Sequence, residues 1–137
     1  MTYCVAMRLE EGLLFVSDSR TNAGIDHIAT FRKLHRFGIP GERLLVIQTA
    51  GNLATSQAVV TQLFHRIQAD IGTHLNNVPT LFEAASLIGE TMREVMQRTA
   101  ALSKADEYDF SSSILLGGQI KGQPTELYNI YPQGNFI

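Results

Sequence analysis

The 137-residue sequence contains one cysteine, Cys4, no tryptophan and four prolines. A lone cysteine cannot close an internal disulfide or build a multi-cysteine zinc site, and His27, His35, His65 and His74 have no close cysteine or histidine neighbours in the chain. A metal-free, cofactor-free intracellular protein is expected. Charge is scarce too: charged residues make up 18% of the chain, against 45% hydrophobic residues. That balance excludes a disordered or collagen-like chain. The net charge is −2, with basic residues scattered along the sequence. No concentrated positive field is available for a phosphate backbone, so nucleic acid is not an expected partner. No run approaches the roughly 20 apolar residues of a membrane span. The start lacks the charged leader and small-residue cleavage site of a signal peptide, so no membrane partner is expected and residues 1–9 read as part of a mature cytoplasmic fold.

The length suits a single domain, 1–137. Tyr3, Val5, Met7 and Leu9 alternate at period two and run into Glu10-Glu11-Gly12, which predicts a strand and a tight reversal. Leu13 to Ser17 is the answering strand. Its consecutive apolar residues Leu13-Leu14-Phe15-Val16 predict a hairpin covered on both faces. Asp18 to Gly24 is turn chemistry, Phe31 to Phe37 reads as a third strand and Arg43 to Thr49 as a fourth.

The period then changes. Val60, Leu63, Phe64, Ile67 and Ile71 fall at helical spacing, predicting a helix that starts within 52–56 and ends by 72–77. Thr80-Leu81-Phe82-Glu83 after Pro79 is a capping-box pattern and predicts a second helix running to about Ser103. Ser111 to Leu116 and Thr125 to Tyr131 read as two further strands, joined through glycines 117, 118 and 122. Strands grouped before helices indicate an α+β fold with a mostly antiparallel sheet. Pro132 to Ile137 looks like a turn entering another strand, so the chain reads as truncated at its C-terminus.

The chemistry centres on Thr2. A small second residue permits removal of Met1, which would leave a threonine with a free α-amine titrating at about 7.7 to 8.0. Hydroxyl nucleophile and general base would then share one residue. Asp18 closes the second strand of the hairpin, which returns the chain towards its own start. Lys33 follows the long loop; beside Thr2 it would depress the hydroxyl or amine pKa, with Asp18 holding the ammonium in place. Thr49-Ala50-Gly51-Asn52 crosses from strand to helix, where a glycine admits close backbone approach and a helix N-terminus favours developing negative charge. Each residue also has a plain structural reading: Met-Thr starts are common, an aspartate before serine forms turns, a strand lysine is solvated, and strand-to-helix turns need glycine.

Taken together, Met1-Thr2-Tyr3-Cys4-Val5, Ser17-Asp18-Ser19-Arg20-Thr21-Asn22-Ala23-Gly24, Thr30-Phe31-Arg32-Lys33 and Thr49-Ala50-Gly51-Asn52-Leu53-Ala54 resemble the proteasome β-subunit family of N-terminal-nucleophile hydrolases, and within it the bacterial Anbu branch. The resemblance implies a four-layer αββα sandwich of two antiparallel sheets. It implies Thr2 as nucleophile with its own amine as proton acceptor, Lys33 tuning Thr2, Asp18 orienting Lys33, and the Gly51 amide as oxyanion hole. Thr21, Thr49 and Leu53 match positions that line the substrate pocket. A threonine-type peptidase is implied, acting on peptides or unfolded proteins without metal or cofactor and assembled as a homo-oligomeric ring or open helical ring. Family members are longer: their later strands, two further helices and a second serine and aspartate near the nucleophile fall beyond Ile137. The competing expectation is therefore a catalytically inactive, truncated or structural subunit of such an assembly.

Overall fold

A computed structural model of the chain describes residues 2–22, 28–102 and 109–137. Met1, Ala23, Gly24, His27 and the expected helix end at Ser103 lie outside the described residues. The alternating N-terminal segment forms β1 (Cys4–Leu9), paired antiparallel with β2 (Gly12–Ser17) from Cys4↔Ser17 to Leu9↔Gly12. A short antiparallel ribbon follows, β3 (Arg20–Asn22) with β4 (Ile28–Thr30). The main sheet has four antiparallel strands in the order β5 (Leu34–Ile39), β6 (Arg43–Gly51), β7 (Ser112–Ile120) and β8 (Glu126–Ile130). Helices α1 (Leu53–Ala69) and α2 (Leu81–Leu102) separate β6 from β7 in the chain.

The strand covered on both faces is β6. Leu45, Ile47 and Thr49 alternate with Val46 and Gln48, and all five are buried. Leu45 and Ile47 join the helix-side core with Val59, Leu63, Ile88, Met92, Ile114 and Leu116. Val46 and Gln48 face the hairpin: Val46 lies beside Leu13 and Phe15, and Gln48 Nε2 donates to Val16 O at 2.7 Å. Helices, four-stranded sheet and hairpin thus form three layers of the expected sandwich. Burying apolar side chains on both sides of β6 is the main stabilising contribution, at roughly 1.5–3 kcal/mol for each large one.

Three sequence expectations are corrected by the coordinates. The hairpin has one covered face. Its outer face carries Tyr3, Val5, Met7, Leu9, Leu14 and Val16, all exposed, with Leu14 at 42% and Val16 at 55%. Among the described residues no element lies over it, so the consecutive apolar residues of β2 divide between a packed face and an open one. Gly117 and Gly118 do not form a turn; they sit inside β7, and the reversal comes at Lys121-Gly122. A Cβ on Gly117 would stand 2.6 Å from Phe15 Cζ, and one on Gly118 would meet the backbone of Leu44. Both glycines therefore serve close layer packing. The third strand also starts later than expected, at Leu34, leaving residues 31–33 ahead of the strand.

The helix starts follow local chemistry. Asn52, in an extended conformation, caps α1 by accepting the Thr55 N–H at 3.1 Å. Thr80 caps α2, its Oγ1 accepting the Glu83 N–H and donating to the Glu83 carboxylate. The α1–α2 connection is pinned by His74, which is buried and has Nε2 2.9 Å from Asp70 Oδ1.

Candidate active site

The end of the hairpin and the start of β5 bring three distant side chains into one cluster. Asp18 N–H donates to Tyr3 O at 2.9 Å, and Tyr3 N–H donates back to Asp18 Oδ1 at 2.9 Å. The carboxylate is thereby fixed beside the chain start through the register that β1 and β2 set. Lys33 arrives from the other side. Its own carbonyl accepts the Thr49 N–H at 2.9 Å, extending the β5–β6 ladder by one bond and aiming the side chain inward. The lysine is 5% exposed. Its Nζ donates to both Asp18 oxygens at 2.9 Å, to Arg20 O at 2.7 Å and to Thr2 Oγ1 at 3.2 Å.

The charge balance is settled by those contacts. A buried ammonium is costly unless paired and hydrogen-bonded, and here a carboxylate and a carbonyl do both. The hydrogen bond from Lys33, then that from the Tyr3 amide, hold the Asp18 carboxyl below the usual aspartate range. A lowered native pKa means the carboxylate stabilises the fold fully above the ordinary aspartate value. That contribution is lost as pH falls below that value and through the lowered native one. Asp18→Asn should therefore flatten the acid limb of the unfolding-midpoint-versus-pH curve below about pH 4. An unchanged acid limb in that variant would show that the ion pair carries no stability.

Since Lys33 donates to Thr2 Oγ1, the threonine oxygen is the acceptor and its own proton is left to point elsewhere. A cation on the oxygen favours its deprotonated form. Cys4 is the other potential nucleophile nearby, with Sγ donating to Thr49 O at 3.6 Å. Burial, the largest influence, pushes its thiol pKa up despite the nearby Lys33 cation. A thiol held protonated is a poor nucleophile.

Gly51 ends β6 with φ +101°, a backbone conformation open to glycine. A Cβ there would lie 2.6 Å from Ser111 O and 3.0 Å from Ser112 Cα. Cys4 against Thr49 O places β1's start at the end of β6 that carries Gly51. Of the remaining residues singled out in sequence, Thr49 is buried, Leu53 opens α1 half-buried, and Thr21 is half-buried in β3. Thr21 Oγ1 is buried with no hydrogen-bond partner among the described residues. Missing from the sequence reading were Arg20, whose carbonyl holds Lys33, and the hydroxyl pair Ser56–Ser112 behind Gly51. Arg20 stands inside the quoted Ser17-to-Gly24 motif but contributes its carbonyl, which no side-chain pattern flags, and the two serines belong to no motif. Among the described residues no group of three or more His, Cys, Asp or Glu is placed to hold a metal ion, and no helix is long and apolar enough to cross a membrane.

An N-terminal hairpin laid on an antiparallel sheet with two helices behind it, and a lysine–aspartate pair reaching the second residue, make this a proteasome-related fold. No protein-family model and no curated protein matches the chain. Solved structures do. The helical assembly of the Anbu complex from Pseudomonas aeruginosa is 62% identical with a TM-score of 0.90, over 98% of this chain and 55% of that one. Anbu (ancestral beta-subunit) from Yersinia bercovieri is 58% identical with a TM-score of 0.89, over 98% and 54%. Anbu from Hyphomicrobium sp. strain MC1 is 42% identical with a TM-score of 0.84, over 98% and 55%. The chain belongs to the Anbu family, and it spans about half the length of these relatives.

Proposed function

We propose that the chain is the nucleophile-bearing part of a threonine-type peptidase protomer. The observation that carries this reading is Lys33 Nζ standing 3.2 Å from Thr2 Oγ1 while held on Asp18 at 2.9 Å. Once Met1 is removed, the Thr2 α-amine accepts the hydroxyl proton and Oγ1 attacks a peptide carbonyl. The Gly51 amide faces the developing oxyanion, the ester forms as the amine leaving group takes the proton, and water then releases the acyl group. Thr21, Thr49 and Leu53 would flank an extended peptide or unfolded-protein substrate. The reaction needs no metal or cofactor, and a cytoplasmic setting suits such a protomer.

The test has two parts. Intact mass should show a chain lacking Met1, and a peptide boronate should form an adduct on the Thr2 hydroxyl of that chain. A retained methionine would leave the amine acylated and remove the base, overturning the reading.

One observation favours the alternative of an inactive structural subunit: among the described residues the apolar outer face of the hairpin is open, as a surface used for assembly would be. A relative forms a helical assembly, and we extend self-association to this chain, as a ring or an open helical ring. Exposed paired apolar residues such as Val5 with Val16 and Met7 with Leu14 would drive it. A sedimentation coefficient independent of concentration and equal to that of a monomer would refute the association.

A further inference from the structure

We infer that Ser112 is a positioning residue for the oxyanion donor, acting through the peptide group that joins Ala50 to Gly51; the inference rests on the peptidase reading above. Ser112 opens β7 directly opposite Gly51 in the β6–β7 register. It is 2% exposed, and its Oγ donates to Ala50 O at 2.9 Å. That carbonyl belongs to the same planar unit as the Gly51 N–H. In a trans peptide the two point in opposite directions. With Ala50 O turned towards β7, the Gly51 N–H is turned away from it, to the side on which Thr49 N–H reaches Lys33 O.

A second hydroxyl stands behind the first. Ser56 Oγ lies 2.7 Å from Ser112 Oγ and 2.9 Å from Asn52 O. These contacts number three, counting Ser112 Oγ to Ala50 O, but two hydroxyls bring only one proton each. Asn52 O already receives the Ser56 backbone N–H at 3.0 Å. With the Ser112 O–H on Ala50 O, the short contact between the two hydroxyls is filled when the Ser56 O–H turns from Asn52 O to Ser112 O. Hydrogen bonds in series polarise one another, so the chain pulls electron density towards Ala50 O and leaves the Gly51 N–H a stronger donor. The strand-to-helix corner is also held still, with Asn52 N–H on Ser111 O at 2.8 Å and Thr55 Oγ1 on Phe110 O at 2.8 Å. A preorganised donor is what an oxyanion requires.

The test reads the amide itself. In the full chain, the Gly51 amide nitrogen and proton resonances should move upfield in Ser112→Ala, less in Ser56→Ala, and little in Ser112→Thr, which retains a hydroxyl. Affinity for a peptide boronate at Thr2 should fall on the order of tenfold in Ser112→Ala. That is a fraction of the 10²–10³ lost when an oxyanion donor is removed outright. Rescue by Ser112→Thr would separate the hydrogen bond from packing. Gly51 resonances unmoved in both alanine variants would overturn the role of Ser112, whatever the boronate does. Absence of any boronate adduct in the unaltered, Met1-free chain would instead overturn the peptidase reading, while the Gly51 shifts still decide whether Ser112 polarises that peptide.

Discussion

Thr2→Ala is expected to lower peptide hydrolysis by at least about 10⁴-fold, and Lys33→Met by about 10³-fold or more, with the double variant no worse than Thr2→Ala alone. In the proposed mechanism Thr2 supplies the oxygen that attacks and, once exposed, the amine that takes its proton, so its loss would remove two functions together. In the same mechanism Lys33 acts on that oxygen: its Nζ, 3.2 Å from Thr2 Oγ1, would be the cation that keeps it reactive. Residues working as one unit give non-additive losses, whereas independent contributions would multiply. Methionine keeps the aliphatic length of the buried lysine while discarding charge and donors, so Asp18 loses its cation and keeps backbone bonds from the Tyr3 and Arg20 amides. Rates measured on Met1-free protein check the prediction. Undiminished turnover in Thr2→Ala would mark the activity as a contaminant's, and multiplicative losses in the double variant would detach Lys33 from the nucleophile.

The elements legible in the sequence are those whose signal is local. Alternation at Tyr3, Val5, Met7 and Leu9 marked β1, the helical spacing of Val60, Leu63 and Ile67 marked α1, and Thr80 with Glu83 marked the start of α2; the end of α1 was placed too late, since the helix stops at Ala69 and Ile71 lies beyond it, exposed. The meeting of residues 2, 18 and 33 was partly legible too, because a tight hairpin must carry Asp18 back beside Tyr3, and the register does so. What was not legible depends on packing between layers. Gly117 and Gly118 were read as punctuation, since a sequence does not reveal that Phe15 and Leu44 press on the strand they occupy. The three-residue strands β3 and β4 are too short for any period to register. Ser112 stands in the run Ser111-Ser112-Ser113, and only the β6–β7 register picks it out as the one facing Gly51. The covered or open state of the hairpin's outer face is likewise a property of what lies above it.

Gly51→Ala should cost the fold about 3 kcal/mol and, in whatever remains folded, lower hydrolysis by about 10²–10³-fold. Two separate physical terms produce the first figure. At φ +101° an L side chain is strained, which alone is on the order of 1–3 kcal/mol. The added Cβ would also meet Ser111 O at 2.6 Å and Ser112 Cα at 3.0 Å. Those are backbone atoms of the β7 approach, held by the Asn52 N–H bond to Ser111 O, so they cannot swing aside as a flexible side-chain tip would. Relief must come from rotating the Ala50–Gly51 peptide or lifting β7 from β6, and β6–β7 is the central pair of the sheet. For a domain whose total stability is about 5–15 kcal/mol, the loss is a large fraction without being complete. The thermal midpoint should fall by about 10 °C. Rotation of that same peptide re-aims the Gly51 N–H, which is why the activity loss should exceed that of Ser112→Ala, where the donor is weakened but still points the same way. A Gly51→Ala protein with the parent midpoint and parent rate would show that the corner tolerates a side chain, and that the amide at its tip is not what receives the oxyanion.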